Sequence, residues 1–421
     1  MSIGAPMSSI RRDPAAWVRI ADLIAVCIAL ALPWSTSLVA IFAVAWIIVI
    51  VPTLELSTFR RFLKQPPCIL PIAFFTLAVA GSLWSDAMWS ARIYAISPTV
   101  KLLMLPLLIG HFGRSERGLW VFVAFLASCT LLMMLSWVVA FDPRLALKAG
   151  AEYGVPVKNY IDQSQEFGLC AVALLYPVVQ LLREGRFALS AVLAVLAVSF
   201  VVNMAFVVVS RTALVAIPVM LFVFALLYLK WRGRMVMTCS IILLASAAWL
   251  VSPRLQSKTE SVLSQYDQYE KTNEATSIGL RLEFWRKSIG FFAEAPLVGH
   301  GTGSTRGLFE QSAIGQSGAA AEVIGNPHNQ TLNVAVQWGI MGVVVLYAMW
   351  LVHLLLFREG GLANWVGLLV VVQNIVSSLF NSHLFDFHEG WMYVLGVGVA
   401  GGMAKARTKD RSAPPLYHTK V

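Results

Sequence analysis

Long apolar runs separated by short polar breaks fill most of the chain, near 17–33, 37–54, 68–84, 95–112, 118–140, 164–182, 187–209, 212–229, 235–251, 329–356, 362–381 and 390–403. Each approaches the roughly 20 residues that carry a helix across the bilayer hydrocarbon. None alternates with period two, so the pattern predicts helices and not a barrel. The expected fold is an all-α polytopic membrane bundle of about twelve transmembrane helices. The stretch 187–229 is interrupted only by Ser210-Arg211-Thr212 and reads as two helices with Arg211 at the turn.

One segment departs from this rhythm. Residues 252–328 form a long polar loop between the ninth and tenth runs. It contains a polar helical pattern near 254–272 and an amphipathic one from Gly279 to Glu294, where Leu280, Phe284, Trp285, Ile289 and Phe292 recur at helical spacing. That apolar face is expected to lie on or near the membrane surface. The chain thus divides into spans one to nine (1–251), the loop (252–328), spans ten to twelve (329–403) and a basic, Pro-containing tail (404–421) expected to be disordered.

Composition agrees with the membrane reading. Of 421 residues 58% are hydrophobic and only 13% charged, against about a quarter charged in soluble domains. The net charge of +10 is spread over short clusters between apolar runs, with no patch that would suit a nucleic acid. Those clusters order the topology. Arg11 and Arg12, Arg60, Arg61 and Lys64, Arg114 and Arg117, Arg183 and Arg186, Lys230, Arg232 and Arg234, Arg358 and the tail all fall on one side. The positive-inside rule makes that side cytoplasmic, with both termini, and places the large loop outside. No small-residue cleavage site follows Arg11 and Arg12, so the first span is expected to be retained. The five cysteines lie inside apolar runs and read as buried hydrophobes, with no disulfide and no metal thiolate.

Candidate chemistry concentrates on the outer side. In Asn326-Pro327-His328-Asn329, Asn326 suits an N-cap and Pro327 the first helical position. His328 then falls in the first turn of the tenth span, where the positive helix end disfavours an imidazolium and attracts anions. Asn329, Asn333 and Gln337 repeat at every fourth position, a polar stripe expected to line a wet cavity, and Gly339 and Gly342 allow close helix packing below it. Arg211 between two apolar runs needs protein, water or an anion beside it. Arg281 shares a helix face with Trp285 and Ser288. An arginine fork suits a diphosphate better than a lysine point charge does.

Gly301 and Gly303, in His300-Gly301-Thr302-Gly303-Ser304, would let backbone N–H groups approach a phosphate, although no Walker lysine follows and a tight structural turn explains them equally well. Arg92 and Lys101 flank the start of the fourth span and would add positive charge to an outer pocket. In the last outer connection, Asp386 is a candidate for orienting or hydrogen-bonding a catalytic group or the acceptor, against the alternative of a solvated loop charge. His383, Asp386 and His388 have no recognised zinc spacing, and no DxD motif is present, so no metal and no cofactor is expected.

Taken together, Ser277-Ile-Gly-Leu-Arg281-Leu-Glu-Phe-Trp285, Pro296-Leu-Val-Gly-His-Gly-Thr-Gly-Ser304, His328-Asn329 with Leu332 and Gly339, and Ser210-Arg211-Thr-Ala-Leu214 resemble the O-antigen ligase and polymerase superfamily. The resemblance is strong over roughly 200–345; the first five spans match only in hydropathy. It implies a bacterial inner-membrane glycosyltransferase that takes a glycan from undecaprenyl diphosphate at the periplasmic face. A ligase passes it to a sugar hydroxyl of the lipid A–core. No nucleotide or metal is required, because the diphosphate linkage activates the donor. The family's essential histidine maps onto His328, its arginines onto Arg211 and Arg281, and an acidic residue of the last outer loop onto Asp386. The same chemistry with another acceptor, in a polymerase or a protein O-oligosaccharyltransferase, is the nearest rival. A lipid-linked oligosaccharide transporter is the rival from another class, but the chain lacks its two related halves.

Overall fold

The computed structural model describes residues 14–148 and 152–412. Arg11 and Arg12 and the last nine residues lie outside that range. Every apolar run becomes a helix. The first group is α1 (Pro14–Ala31), α2 (Thr36–Ile50), the short amphipathic α3 (Leu56–Leu63), α4 (Pro66–Ala80), α5 (Trp89–Val100), α6 (Met104–Phe112) and α7 (Gly118–Phe141). The second is α8 (Tyr160–Ala173), α9 (Leu175–Arg183), α10 (Phe187–Phe206), α11 (Arg211–Tyr228) and α12 (Trp231–Val251). The polar loop holds α13 (Pro253–Thr272), α14 (Ser277–Glu294) and α15 (Thr305–Ala313), and the chain closes with α16 (Gln330–Leu356), α17 (Leu362–Ser377) and α18 (Phe387–Ser412).

Nine spans among the described residues are long and apolar enough to cross a membrane, two of them the joined pairs α5–α6 and α8–α9. The other three predicted runs correspond to α1, the shorter α17 and α18. The protein is a polytopic helical membrane protein. The tail differs from expectation: α18 runs through Lys405 and Arg407 to Ser412, so the span continues as helix where disorder was expected.

The core forms around α18, whose stretch from Trp391 to Val399 is buried and which packs on α6 and α17. Small residues permit the approach: a Cβ on Gly398 would sit 2.5 Å from Leu108, and one on Gly402 would sit 2.6 Å from Phe112. Glycine contacts of this kind drive helix association where lipid is as apolar as leucine. Polar locks hold other crossings, with His111 Nε2 2.8 Å from Asp22 Oδ1 and His353 Nδ1 2.6 Å from the Tyr393 hydroxyl. By contrast α12 buries no residue and packs chiefly on α11 and α13, leaving Cys239 exposed. All five cysteines are free.

Two breaks within spans matter for the site. The fourth span changes to a 3-10 turn at Lys101–Leu103, between Pro98 and Pro106. The tenth is interrupted at Gly339, with φ 60° and ψ −154°. Irregular backbone at membrane depth must be satisfied by protein, and the segment 296–301 does this. Ile340 N donates to Pro296 O at 2.8 Å, while His300 N and Gly301 N donate to the carbonyls of Val336 and Gln337 at 2.9 Å each. Gly339 therefore serves as a docking point for the outer loop, beyond the close packing expected of it.

The amphipathic α14 also lies differently. Phe284 and Phe291 are buried with Phe309 of α15 and Val336 of α16. Its apolar face thus packs on protein at Phe284 and Phe291, while Ile289 stays exposed. The unexpected α15 supplies the covering ring, since Phe309 is fully buried between Phe284 and Phe291 at 5.7 and 5.3 Å.

Candidate active site

The sequence predicts Asn326 as the N-cap of α16, but the helix begins three residues later. Asn329, in extended backbone, is the N-cap and its Oδ1 accepts from Leu332 N at 3.1 Å. Asn326 instead folds its Oδ1 back onto His328 N at 3.0 Å, a local turn of the kind asparagine favours. Both asparagines compete for the same role, and Pro327 commits the first to the turn. His328 consequently sits just outside the helix and not in its first turn. It has φ 53°, the left-handed region that a non-glycine residue enters only when its surroundings fix it.

A hydrogen-bond chain fixes the ring. His328 Nδ1 lies 2.9 Å from Asn381 Oδ1, and Asn381 Nδ2 donates to Asp386 Oδ2 at 2.7 Å. A carboxylate only accepts, so the Asn381 amide must turn its nitrogen to Asp386 and its oxygen to His328. The network thereby assigns the proton to Nδ1 and leaves the lone pair of Nε2 free. Phe284 of α14 flanks the imidazole, ring centres 6.1 Å apart.

The segment that carries Asn381 and Asp386 is itself anchored. Ser382 donates to Asn326 Oδ1 at 2.7 Å, and Gln330 Oε1 accepts from Leu384 N at 3.1 Å. From the break in the fourth span, the buried Lys101 reaches the carbonyls of Phe385, at 3.1 Å, and Asp386. Lys101 is thus a tether for this loop rather than an exposed charge. His383 is buried, and burial pushes its imidazole down, but Glu389 and then Asp386 overcome this and hold its pKa up at about 10. Ligand atoms of His383, Asp386 and Glu389 lie within 4.8 Å of one another, with the Lys101 ammonium beside them. His388 does not join them; it contacts Lys158 at 2.6 Å and faces Asp162 at 3.5 Å.

The polar stripe on α16 does not line a wet cavity. Asn333 and Gln337 are buried. Asn333 donates to Ser382 Oγ at 3.0 Å, Gln337 to Asn333 Oδ1 at 2.8 Å, and Gly303 N to Gln337 Oε1 at 2.8 Å. The stripe is a strut that joins the histidine segment to the glycine turn. Gly301 and Gly303, at φ 86° and 84°, also depart from the expectation of a phosphate cradle. Their N–H groups are taken by Gln337, and a Cβ would lie 2.6 Å from Ser85 or 2.8 Å from Ala91. Arg92 is likewise engaged: it donates to the carbonyls of Ala87 and Ser82 at 2.6 and 2.8 Å and lies over Trp89 at 4.6 Å. It stitches its own loop and is not drawn to His328.

The other two arginines are arranged differently. Arg211 opens α11 and donates to Ser261 Oγ at 2.7 Å and Gln265 Oε1 at 3.4 Å, both neutral groups of α13. Arg281 projects from α14, one turn before Phe284, and has no hydrogen bond or ion pair among the described residues. Burial pushes the Arg281 guanidinium below its ordinary value; Tyr160 opposes the shift and Arg211 adds to it. Two guanidiniums therefore repel one another with no carboxylate between them. Around them stand more buried polar atoms without partners among the described residues: Arg211 Nε, Ser210 Oγ, Trp285 Nε1 and Ser288 Oγ. Trp285 and Ser288 share the Arg281 face by helical spacing, as the sequence suggests.

A histidine with a free Nε2, packed on Phe284 of the helix that also carries Arg281, can accept a proton from one group, and cations without counter-ions among the described residues can stabilise anionic charge on another. Asn381 is the functional residue that sequence reasoning missed. Nothing in its local spacing marks it, because its partner His328 is 53 positions away.

Comparison with known proteins gives this geometry a context. Residues 194–347 match a protein-family model described as O-Antigen ligase, which supports an O-antigen ligase family member. The matched segment holds Arg211, Arg281, Trp285, Gly301, Gly303, His328 and Asn329; Arg92, Asn381 and Asp386 lie beyond it. A curated protein of Haemophilus influenzae, described as an uncharacterized protein, is 27% identical over 143 residues. That similarity spans 32% of this chain and 36% of the relative, about a third of its length.

Proposed function

We propose that this O-antigen ligase family member transfers O-antigen glycan from undecaprenyl diphosphate to a sugar hydroxyl of lipid A–core. The reaction would occur at the periplasmic face of the bacterial inner membrane, with both termini in the cytoplasm. One observation carries the reading: α14 bears both Arg281, coupled to Arg211 without a carboxylate among the described residues, and Phe284, which flanks His328, and the histidine's network leaves Nε2 free.

The chemistry balances without a nucleotide, a metal or a cofactor. His328 Nε2 takes the proton of the acceptor hydroxyl as that oxygen bonds to the anomeric carbon of the donor. The bond from that carbon to the diphosphate oxygen breaks, and the diphosphate leaves with the electron pair. Arg211 and Arg281 stabilise its growing charge. Asp386 acts through Asn381, holding the Nδ1–H tautomer and favouring the imidazolium that forms. Direct displacement inverts the anomeric centre. Trp285 and Ser288, with unpartnered donors on the Arg281 face, would bind donor oxygens.

The test is transfer by the purified full-length protein, supplied with a polyprenyl diphosphate glycan and two acceptors in separate reactions. Product on lipid A–core supports the ligase. Product only on a second lipid-linked glycan would assign a polymerase. Movement of the donor across a vesicle with no transfer would replace the enzyme by a transporter. Activity abolished by EDTA and restored by a divalent metal would overturn the metal-free mechanism.

A further inference from the structure

Beside the arginine pair lies a groove that the proposed chemistry does not use. Its cavity is about 350 Å³, lined by Glu152, Tyr153, Tyr160, Arg254, Lys258 and the backbone turn at Val207–Val209. Arg254 Cζ lies 3.5 Å over the Tyr153 ring and Lys258 Nζ 5.1 Å from that of Tyr160. Stacking on tyrosine fixes a guanidinium plane and leaves its N–H edge free. Neither cation has an ion pair among the described residues, and Glu152 is the one acid on the wall.

Position supports a ligand of defined chemistry. Arg254, Lys258, Ser261 and Gln265 fall on one face of α13, and the last two hold Arg211. The groove therefore runs along α13 to the diphosphate pair without being part of it. Its depth is set by span ends: α12 finishes at Val251 and α13 begins at Pro253, while α10 finishes at Phe206 just before Val207. Two cations at the end of two spans stand at the level of lipid headgroup phosphates.

We propose that this groove is a second anion site, which takes a phosphate ester on the headgroup of a membrane glycolipid, the acceptor in the reaction above. Its assignment to the acceptor rests on the transferase reading; the binding itself does not. A phosphate held by Arg254 and Lys258 would position the acceptor's saccharide beside a donor gripped at Arg211 and Arg281.

The experiment measures binding without turnover. Full-length wild type and an Arg254→Gln, Lys258→Gln double variant are compared in neutral detergent. Probes are a phosphorylated lipid A–core, its dephosphorylated form and a polyprenyl diphosphate glycan. Both side chains are exposed, so the variant is expected to melt at the wild-type temperature. Loss of two charge-assisted contacts should weaken the phosphorylated probe about tenfold or more, with the dephosphorylated probe and the donor unchanged. Phosphatidylglycerol vesicles are added as competitor. No competition supports the acceptor as source; full competition supports the same site filled by bulk anionic lipid. Equal affinity of wild type and variant for the phosphorylated probe would overturn the proposal. So would an equal loss of donor affinity, which would make the groove part of the diphosphate site. Failure of the transferase reading would appear instead as absent transfer with these binding differences intact.

Discussion

His328 and Arg281 both border α14, yet their surroundings treat them in opposite ways. Around the histidine, polar atoms are paired in series, from Asn326 and Ser382 through Asn381 to Asp386 and the Lys101 tether. Around the arginines, pairing stops: Arg281 has no partner among the described residues, and buried Arg211 Nε and Trp285 Nε1 have none either. In the proposed reaction the histidine end would be set before substrate arrives, because a base works only if its tautomer and direction are fixed. The arginine end would be completed by the ligand, whose negative charge would meet donors that have no protein partner among the described residues.

This contrast can be broken at either end. The largest effect is expected for His328→Asn, which tolerates the left-handed backbone but has no comparable base. Transfer should fall about 10²–10⁴-fold in kcat at an unchanged melting temperature. Near-normal turnover would remove His328 from the chemistry. Next, Arg281→Gln should lower kcat/KM on the order of a hundredfold and raise KM for the donor. Because it relieves repulsion from Arg211, it should leave the unliganded protein no less stable, and a marked drop in its melting temperature would show that the pair is structural.

Asn381→Ala sharpens the other side. It cuts the link from Asp386 and should cost roughly tenfold in kcat, the scale of one buried hydrogen bond, with little change in donor KM. Asn381→Asp should instead move the acid limb of the pH–rate profile to higher pH, since a carboxylate 2.9 Å from Nδ1 favours the protonated ring. A profile unmoved by either variant would argue against any relay. The scaffold is tested by Gly299→Ala, at φ 66° with a Cβ 2.5 Å from Gln337 C. About 1–3 kcal/mol of stability should be lost, measured by denaturation in detergent. Smallest is the pH dependence of the loop that carries Asp386. The folded pKa of His383 is raised to about 10 from 6.5. Its stabilisation is therefore complete below about pH 6.5 and lost as pH rises through 10. Melting should soften across that window in wild type and less so in His383→Gln.

Much of this was legible in the sequence because it is local. Runs of about 20 apolar residues specify spans whatever their neighbours, and the helical spacing of Leu280, Phe284 and Trp285 specifies α14. Arg211 at the α10–α11 turn and His328 at the head of the tenth span stood out as polar chemistry in an apolar chain. What periodicity could not supply was the partner of each group. It marked Asn333 and Gln337 as a stripe but not what the stripe touched, so a cavity was expected where a strut is found. It offered Asn326 as the cap, whereas the Asn326 side chain is held by Ser382 and the turn onto His328, and Asn329 caps the helix instead. It left Gly301 and Gly303 open between a phosphate cradle and a tight structural turn, and the close backbone of Ser85 and Ala91 decides for the turn.

The sequence by itself determined the apolar spans, the one large loop and the residue types available for chemistry, since each follows from residues within a turn or a span of one another. The tertiary structure alone decided which of them meet. It joined His328 to Asn381 across 53 positions and Lys101 to Asp386 across 285. It also left Arg211 within electrostatic reach of Arg281, with no acid opposing the pair among the described residues. Hydrogen bonds and charge pairing depend on distance in space, which a chain in a bilayer sets by helix packing and not by order along the sequence.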